Sequence, residues 1–141
     1  MISNFKKAFT LIELLVVIGV MAVIAAGVVA LIDPVDKTRQ ANDAKVMNDI
    51  GQMATAMQAA AAQTSDGLYP ATLASLATLG ELTVVPAPPT GWAAYALTGG
   101  GTSTISICGQ LRSKRYTATP NWVFCSLTGK AGAVTGCGVC P

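Results

Sequence analysis

Few residues in this chain have side chains that can do chemistry, and their distribution is uneven. The 141-residue sequence contains no histidine, and all seven acidic residues lie at or before Glu81. A Ser-His or Cys-His catalytic pair therefore cannot be formed within it. The segment after Glu81 also has no carboxylate for general acid–base catalysis or for a calcium site. We expect a protein that is not an enzyme and that uses no metal ion or cofactor.

All four cysteines lie in the last 34 residues, at Cys108, Cys125, Cys137 and Cys140. In an oxidising compartment such an even set favours two disulfide bonds, for which three pairings are possible. The strand pattern described below favours Cys108 with Cys125 as a cross-strand bridge, and then Cys137 with Cys140. Closing the first of these loops would stabilise the fold by about 3 kcal/mol. Crossed pairings, the alternative, would hold the C-terminal tail more firmly.

The last two cysteines also have the C-x-x-C spacing of redox and zinc sites, in Cys137-Gly138-Val139-Cys140. A redox motif needs a thioredoxin-type strand–helix context, whereas this one lies in a glycine-rich tail. A zinc site needs a second close pair, and Cys108 and Cys125 are far apart in sequence. Disulfide bonds therefore remain the leading interpretation.

The charges after Glu81 are all positive, and three of the four lie in one short segment, at Arg112, Lys114 and Arg115. The simplest interpretation is a solvated loop. The alternative is a contact surface for DNA, for another anionic surface or for an acidic patch on a neighbouring molecule, because exposed basic clusters attract anions. The motif gives no indication of sequence-specific recognition.

A long apolar segment near the N-terminus contains the least expected carboxylate, Glu13. Residues 14–32 have no charged side chain, and as a helix they span about 28 Å, close to the roughly 30 Å hydrocarbon core of a bilayer. Lys6 and Lys7 precede the segment, so the positive-inside rule predicts a single-pass protein with a cytoplasmic N-terminus and an exported C-terminal part.

A plain membrane anchor fits this length but does not explain Glu13. A secretory signal has a shorter apolar region, and an acidic side chain at the edge of an apolar span is unfavourable unless something compensates it. One compensation is the helix dipole, because Glu13 lies in or near the first turn of the predicted helix. The other is a cation supplied by a partner.

The segment KKAFTLIEL, residues 6–14, resembles the class III signal of type IV pilins and type II secretion pseudopilins. The resemblance implies that a prepilin peptidase cleaves between Ala8 and Phe9 and that the new amino group of Phe9 is methylated. It also implies that Glu13 pairs with the N-terminus of a neighbouring subunit, which would give a buried carboxylate its cation. Family members normally have glycine before the cut, where this chain has Ala8.

The resemblance further implies a division of the chain into four parts. These are a leader at residues 1–8, a transmembrane and filament-core helix at 9–32, the amphipathic half of the same helix at 33–64, and a disulfide-bonded head at 65–141. It implies a homopolymer that the pilus assembly machinery builds from membrane-inserted precursors and displays at the cell surface. A secretion pseudopilin and a membrane-anchored binding module that never polymerises are the alternatives.

The segment after the apolar stretch has helical periodicity. Apolar residues at positions 46, 50, 53 and 57 predict an amphipathic helix with one packing stripe, ending near Thr64 before the turn at 65–67. Asp33-Pro34 is either a cap followed by proline at the first helical position or a kink in a continuous helix.

Short strands are predicted in the remaining part of the chain. The pattern indicates a short helix at 72–79, an extended proline-rich connector at 86–89, and strands at 92–97, 104–108 and 122–127. In one interpretation the last strand continues through 130–134. Glycines at 99–101 fit a hairpin loop. We therefore predict an α+β fold in which a long N-terminal helix packs on a small antiparallel sheet.

Overall fold

A computed structural model describes residues 9–141, so the predicted leader, with Lys6, Lys7 and Ala8, lies outside the described residues. The chain divides after Val35 into two compact units. The first contains helix α1, Leu11–Leu31, and the second contains nearly all of helix α2, Pro34–Gln63, together with a four-stranded sheet. The predicted α+β class is confirmed.

Helix α1 is apolar apart from Glu13 in its first turn, and its described side chains are all exposed. Leu11 is 81% exposed at one end and Leu31 is 88% exposed at the other. The stretch Leu11–Val29 is long and apolar enough to cross a membrane, with a mean hydropathy of 2.7. Because no side chain of its own unit covers this surface, the helix requires lipid or other protein around it.

The helical run is interrupted at Ile32 and Asp33. Ile32 has extended backbone angles, φ −96° and ψ 116°, and α2 begins at Pro34. Proline suits the first helical position because its missing N–H would have no helical partner there. Of the two interpretations of Asp33-Pro34, the structure supports proline at the helix start rather than a kink in one unbroken helix.

Helix α2 packs through the predicted stripe. Val46, Ile50, Met53 and Met57 are all at most 1% exposed and form the centre of the core. The helix ends at Gln63, where the hydroxyl of Thr64 donates a hydrogen bond to the Ala61 carbonyl at 2.9 Å. The prediction of a core-facing stripe is confirmed.

The sheet contains four antiparallel strands in sequential order. They are β1 Ala96–Thr98, β2 Ser106–Gln110, β3 Asn121–Cys125 and β4 Lys130–Val134, and a short helix α3, Ser75–Thr78, precedes them. The last strand is not a continuation of β3, because the chain reverses at Gly129, whose φ of 66° favours glycine. Its N–H donates to the Cys125 carbonyl at 3.0 Å and closes that turn.

One face of the sheet packs against α2 and includes Ile107 and Phe124. Gly109 on β2 lies close to side chains of α2. A Cβ added there would lie 2.7 Å from Val46 Cγ1 and 2.9 Å from Ile50 Cδ1. The absent side chain therefore permits the close approach of helix and sheet.

The opposite face is covered by the C-terminal tail, residues 135–141. Two disulfide bonds attach the tail, Cys108–Cys137 from β2 and Cys125–Cys140 from β3. Pro141 lies over β4, since a Cβ at Gly132 would be 2.9 Å from its Cβ. Val123 and Val134 are buried beneath the tail together with Cys108.

The predicted pairing of Cys108 with Cys125 and of Cys137 with Cys140 is therefore wrong. Cys108 lies opposite Val123, and Cys125 lies opposite Ser106, so the two strand cysteines are diagonal neighbours rather than a direct pair. Diagonal residues are about 7–8 Å apart, whereas a disulfide needs Cβ atoms about 3.5–4.5 Å apart. The crossed alternative is the one that the structure has.

Candidate functional site

The carboxylate of Glu13 lies in the first turn of α1, where it closes a capping box with Thr10. The Thr10 backbone N–H and hydroxyl both donate to Glu13 Oε2, at 2.9 Å and 2.7 Å. In return the Glu13 N–H donates to Thr10 Oγ1 at 3.3 Å. These bonds satisfy two donors at the helix start and hold the carboxylate beside it.

Sequence reasoning placed Glu13 near the first turn but missed its partner. The signal was available, because Thr10-Leu11-Ile12-Glu13 has the T-x-x-E spacing of a capping box directly before an apolar run. Phe9 precedes this box and is 78% exposed. The start of α1 therefore carries one aromatic and two polar side chains, from Phe9, Thr10 and Glu13, whereas the rest of the helix is apolar.

The sequence around this capping box matches a family model described as the prokaryotic N-terminal methylation motif, over residues 3–29. The chain carries the class III signal of type IV pilins and pseudopilins. The matched residues include Ala8, Phe9 and Glu13, the positions that the resemblance singled out for cleavage, methylation and pairing. They do not extend into the C-terminal part of the chain. No curated protein and no solved structure matches the chain.

All four cysteines, which lie in the C-terminal part of the chain, are engaged in disulfide bonds. Cys137 and Cys140, although they have C-x-x-C spacing, bond to different strands of the sheet and not to each other. Their sulfur atoms therefore fasten the tail to β2 and β3, and a redox pair is not formed. Within residues 9–141, no group of three or more histidine, cysteine or acidic side chains is placed to hold a metal ion.

The three basic side chains predicted as a contact surface lie on the loop between β2 and β3. We call residues 112–116 the basic loop. Two carboxylates of α2 bind its backbone: Asp43 Oδ1 accepts from the Arg112 N–H at 2.8 Å, and Asp43 Oδ2 from the Ser113 N–H at 3.0 Å. Asp36 Oδ1 accepts from the next amide, that of Lys114, at 2.7 Å.

Both aspartates are buried, Asp43 at 1% and Asp36 at 8% exposure. A buried carboxylate is stable only when hydrogen bonds replace its water, and charge-assisted bonds to N–H groups are among the strongest available. Three successive amides of the basic loop supply them. The acidic groups therefore hold the backbone of the basic loop, and its charged side chains remain at the surface.

Sequence reasoning did not predict these bonds from Asp36 and Asp43 to the loop backbone, which we call the clamp. Asp36 and Asp43 are seven residues apart and so share a helix face, which is a usable signal that both contact the same element. Nothing in the sequence indicates which element that is, because the partner amides lie about seventy positions away.

Two guanidinium groups of the basic loop lie over aromatic rings. The Arg112 guanidinium carbon is 5.5 Å from the Trp92 ring centroid, and that of Arg115 is 5.6 Å from the Tyr116 centroid. The Arg112 Nε–H also donates to Gln110 Oε1 at 3.0 Å. All three basic side chains are exposed, so the rings orient cationic groups that face solvent.

Ser113, at the centre of the basic loop, is 2% exposed, and its buried hydroxyl has no hydrogen-bond partner among residues 9–141. A cavity of about 180 Å³ adjoins it. The cavity is lined by Gln40, Asp43, Ala44, Met47, Ser113, Arg115 and Tyr116. It is large enough for ordered water, which is the usual partner of such a group.

A second polar cluster joins α2 to the segment before β1. Lys45 Nζ contacts Asp49 Oδ2 at 2.5 Å and donates to the Ala87 carbonyl at 2.6 Å. The Tyr95 hydroxyl donates to the same Asp49 oxygen at 2.5 Å. Burial, and then the hydrogen bond to Asp49, raise the pKa of Tyr95. This cluster fastens the proline-rich connector to the helix.

Proposed function

We propose that this chain is a structural, non-enzymatic subunit of a type IV pilus-like filament. A prepilin peptidase would cleave between Ala8 and Phe9, the amino group of Phe9 would be methylated, and the subunits would polymerise through α1. Before assembly the chain would be a single-pass membrane protein with a cytoplasmic N-terminus. The observation that carries the proposal is the methylation motif over residues 3–29, directly on a helix whose apolar surface is exposed.

The exposed surface of α1 supports polymerisation on energetic grounds. Apolar side chains such as Ile12, Val16 and Ile24 are each more than half exposed, and burial of apolar surface stabilises by about 25 cal/mol per Å². Lipid covers this surface before assembly. In a filament, the same surfaces of neighbouring subunits cover one another, so a single helix serves both states.

Glu13 supplies the specificity that apolar packing lacks. In the described chain its carboxylate receives two hydrogen bonds from Thr10, and a carboxylate can accept more than two. A free or methylated amine on the Phe9 of a neighbouring subunit would add a cation in a low-dielectric setting. Such a pair would fix the axial register of adjacent helices.

A secretion pseudopilus is the second candidate within the same family. The full sequence has no acidic residue after Glu81, so a carboxylate calcium site in the C-terminal part of the head cannot be built. The tail is instead fastened by two disulfide bonds. These features favour a pilus subunit over a major pseudopilin.

The role of Glu13 can be tested by comparing assembly of Glu13→Gln, Glu13→Val and wild type, with Gln52→Ala as a control on the surface of α2. The measurement is the amount of subunit in the sheared surface fraction relative to the membrane fraction. We expect Glu13→Val to abolish the sheared fraction and Glu13→Gln to reduce it strongly. Equal assembly of all four chains would contradict the proposal.

A further inference from the structure

The basic loop has the features of a preorganised binding surface. We propose that it binds the phosphodiester backbone of double-stranded DNA, without sequence preference, through the guanidinium groups of Arg112 and Arg115. This inference concerns the head alone. It goes beyond the proposed filament function, although display on a filament would multiply its effect.

The first support is the positive charge of Arg112 and Arg115, which carboxylates of the described chain do not neutralise. In the part of the chain that the structure describes, neither the Arg112 nor the Arg115 guanidinium is ion-paired with a carboxylate. Asp36 and Asp43, which contact the loop, are buried and bind its backbone amides. Two unneutralised arginines on one loop produce a local positive field that attracts anions.

The second support is the orientation of the guanidinium groups. Arg112 uses its Nε–H on Gln110 and rests on Trp92, which leaves both terminal Nη groups for a ligand. Arg115 rests on Tyr116 and makes no hydrogen bond within the described residues. A planar fork held by an aromatic face suits bidentate recognition of phosphate, which lysine cannot provide.

The third support is rigidity. Three consecutive amides of the basic loop bind buried carboxylates, and the Leu111 N–H donates to the Pro120 carbonyl at 2.8 Å to close its base. The loop therefore loses little conformational entropy when it binds, which is an advantage for a surface with only a few contacts.

The surroundings favour an extended phosphate polymer over other anionic ligands. The adjoining cavity of about 180 Å³ is smaller than the usual pocket for a small molecule, about 300–1,000 Å³. Among residues 112–116 no large apolar side chain is exposed, so the basic loop itself has none to insert into a membrane. The Trp92 and Tyr116 rings each have an arginine over one face, which favours contact with a backbone over stacking of unpaired bases.

A second copy of this chain is a poorer partner because most acids of its second unit are buried. Asp36, Asp43 and Asp49 are all less than 9% exposed and bind groups of their own unit. These three carboxylates are therefore not available at the surface to pair with the basic loop of a neighbour.

The test measures binding of a short fluorescein-labelled DNA duplex to the full chain in detergent, by fluorescence anisotropy over about 50–200 mM salt. We expect the Arg112→Gln/Arg115→Gln variant to bind about tenfold more weakly at the lowest salt. Its plot of log affinity against log salt should be shallower by about 2, as expected for two lost phosphate contacts. Lys130→Gln, which removes an exposed charge on β4, is the matched control and should change affinity less than twofold.

Competition with heparin and with anionic lipid vesicles at equal charge identifies the ligand class. Binding to either that is tighter than to the duplex and depends on the same two arginines would overturn the assignment to DNA. Equal binding by the double-arginine variant and wild type would overturn the site itself, and so would an equal loss in Lys130→Gln. Both substitutions leave the backbone bonds to Asp36 and Asp43 in place, and a thermal melt confirms that each variant is folded. Filament assembly is scored separately by electron microscopy, so failure of this proposal and failure of the filament proposal give different results.

Discussion

Asp43 on α2 accepts hydrogen bonds from the backbone N–H groups of Arg112 and Ser113, at 2.8 Å and 3.0 Å. The buried carboxylate therefore binds the backbone of Arg112 and does not pair with its exposed guanidinium group. A salt bridge between the two side chains would have positioned the loop but would also have neutralised the guanidinium group. The carboxylate positions the loop, and the guanidinium group stays available at the surface.

Replacement of Asp43 by alanine should destabilise the head. Two buried N–H groups would lose a charged acceptor, and the loss of such bonds amounts to about 2–4 kcal/mol. The measurement is chemical unfolding of the detergent-solubilised chain, followed by tryptophan fluorescence. Asp66→Ala, at an exposed turn, is the control and should change stability by less than about 0.5 kcal/mol. Similar stabilities for the two variants would show that the clamp is unimportant.

Gly109→Val should be among the most damaging single changes in the sheet. A side chain there would overlap Val46 and Ile50, which must then move, and overpacking of this kind typically destabilises by about 1–3 kcal/mol or more. Gly51→Ala is the opposite control, since a Cβ at that helical position meets nothing within 4 Å and should stabilise by about 0.5–1 kcal/mol. If both variants lowered the midpoint of unfolding equally, the close approach of α2 to β2 would be contradicted.

A tryptic digest without reduction tests whether the two tail cysteines bond to the strands or to each other. Cleavage after Arg115 and Lys130 separates Cys108, Cys125 and the two tail cysteines onto three peptides. Because the tail bonds to both strands, we expect one mass containing all three peptides. A linked Cys108–Cys125 pair with a separate, internally bridged tail peptide would contradict the structure.

The raised pKa of Tyr95 predicts that the fold loses stability at alkaline pH. Its pKa is raised in the fold by burial and by the bond to Asp49, so the folded chain keeps the phenol proton when the unfolded chain begins to lose it near pH 10. The unfolded state then binds fewer protons, and the free energy of unfolding falls as pH rises above about 10. Tyr95→Phe should remove part of this slope in unfolding measured across that range. An unchanged slope in Tyr95→Phe would rule out this origin.

The sequence predicted the elements well where one periodicity dominated. The apolar run gave α1, and the stripe through Val46, Ile50, Met53 and Met57 gave the core face of α2, because both patterns are local. The disulfide pairing predicted from the sequence was wrong because it depends on strand register, which the sequence pattern did not specify. A shift of two residues turns a directly opposite neighbour into a diagonal one.

The bonds from Asp36 and Asp43 to the basic loop also could not be predicted from the sequence. Asp36 and Asp43 bind main-chain amides, which every non-proline residue carries, so no residue type marks the partner. By contrast, the Thr10–Glu13 box could be read from spacing alone. Contacts between nearby side chains leave a pattern in the sequence, whereas distant contacts to backbone do not.

The central claim, that this chain is cleaved and polymerises through α1, is tested most directly on filaments sheared from cells that express it. Electron microscopy shows whether filaments are present, and mass spectrometry of their subunit identifies its first residue. We predict filaments whose subunit begins with N-methylated Phe9 and contains two disulfide bonds. A chain that still begins with Met1, found only in the membrane fraction and without filaments, would contradict the account.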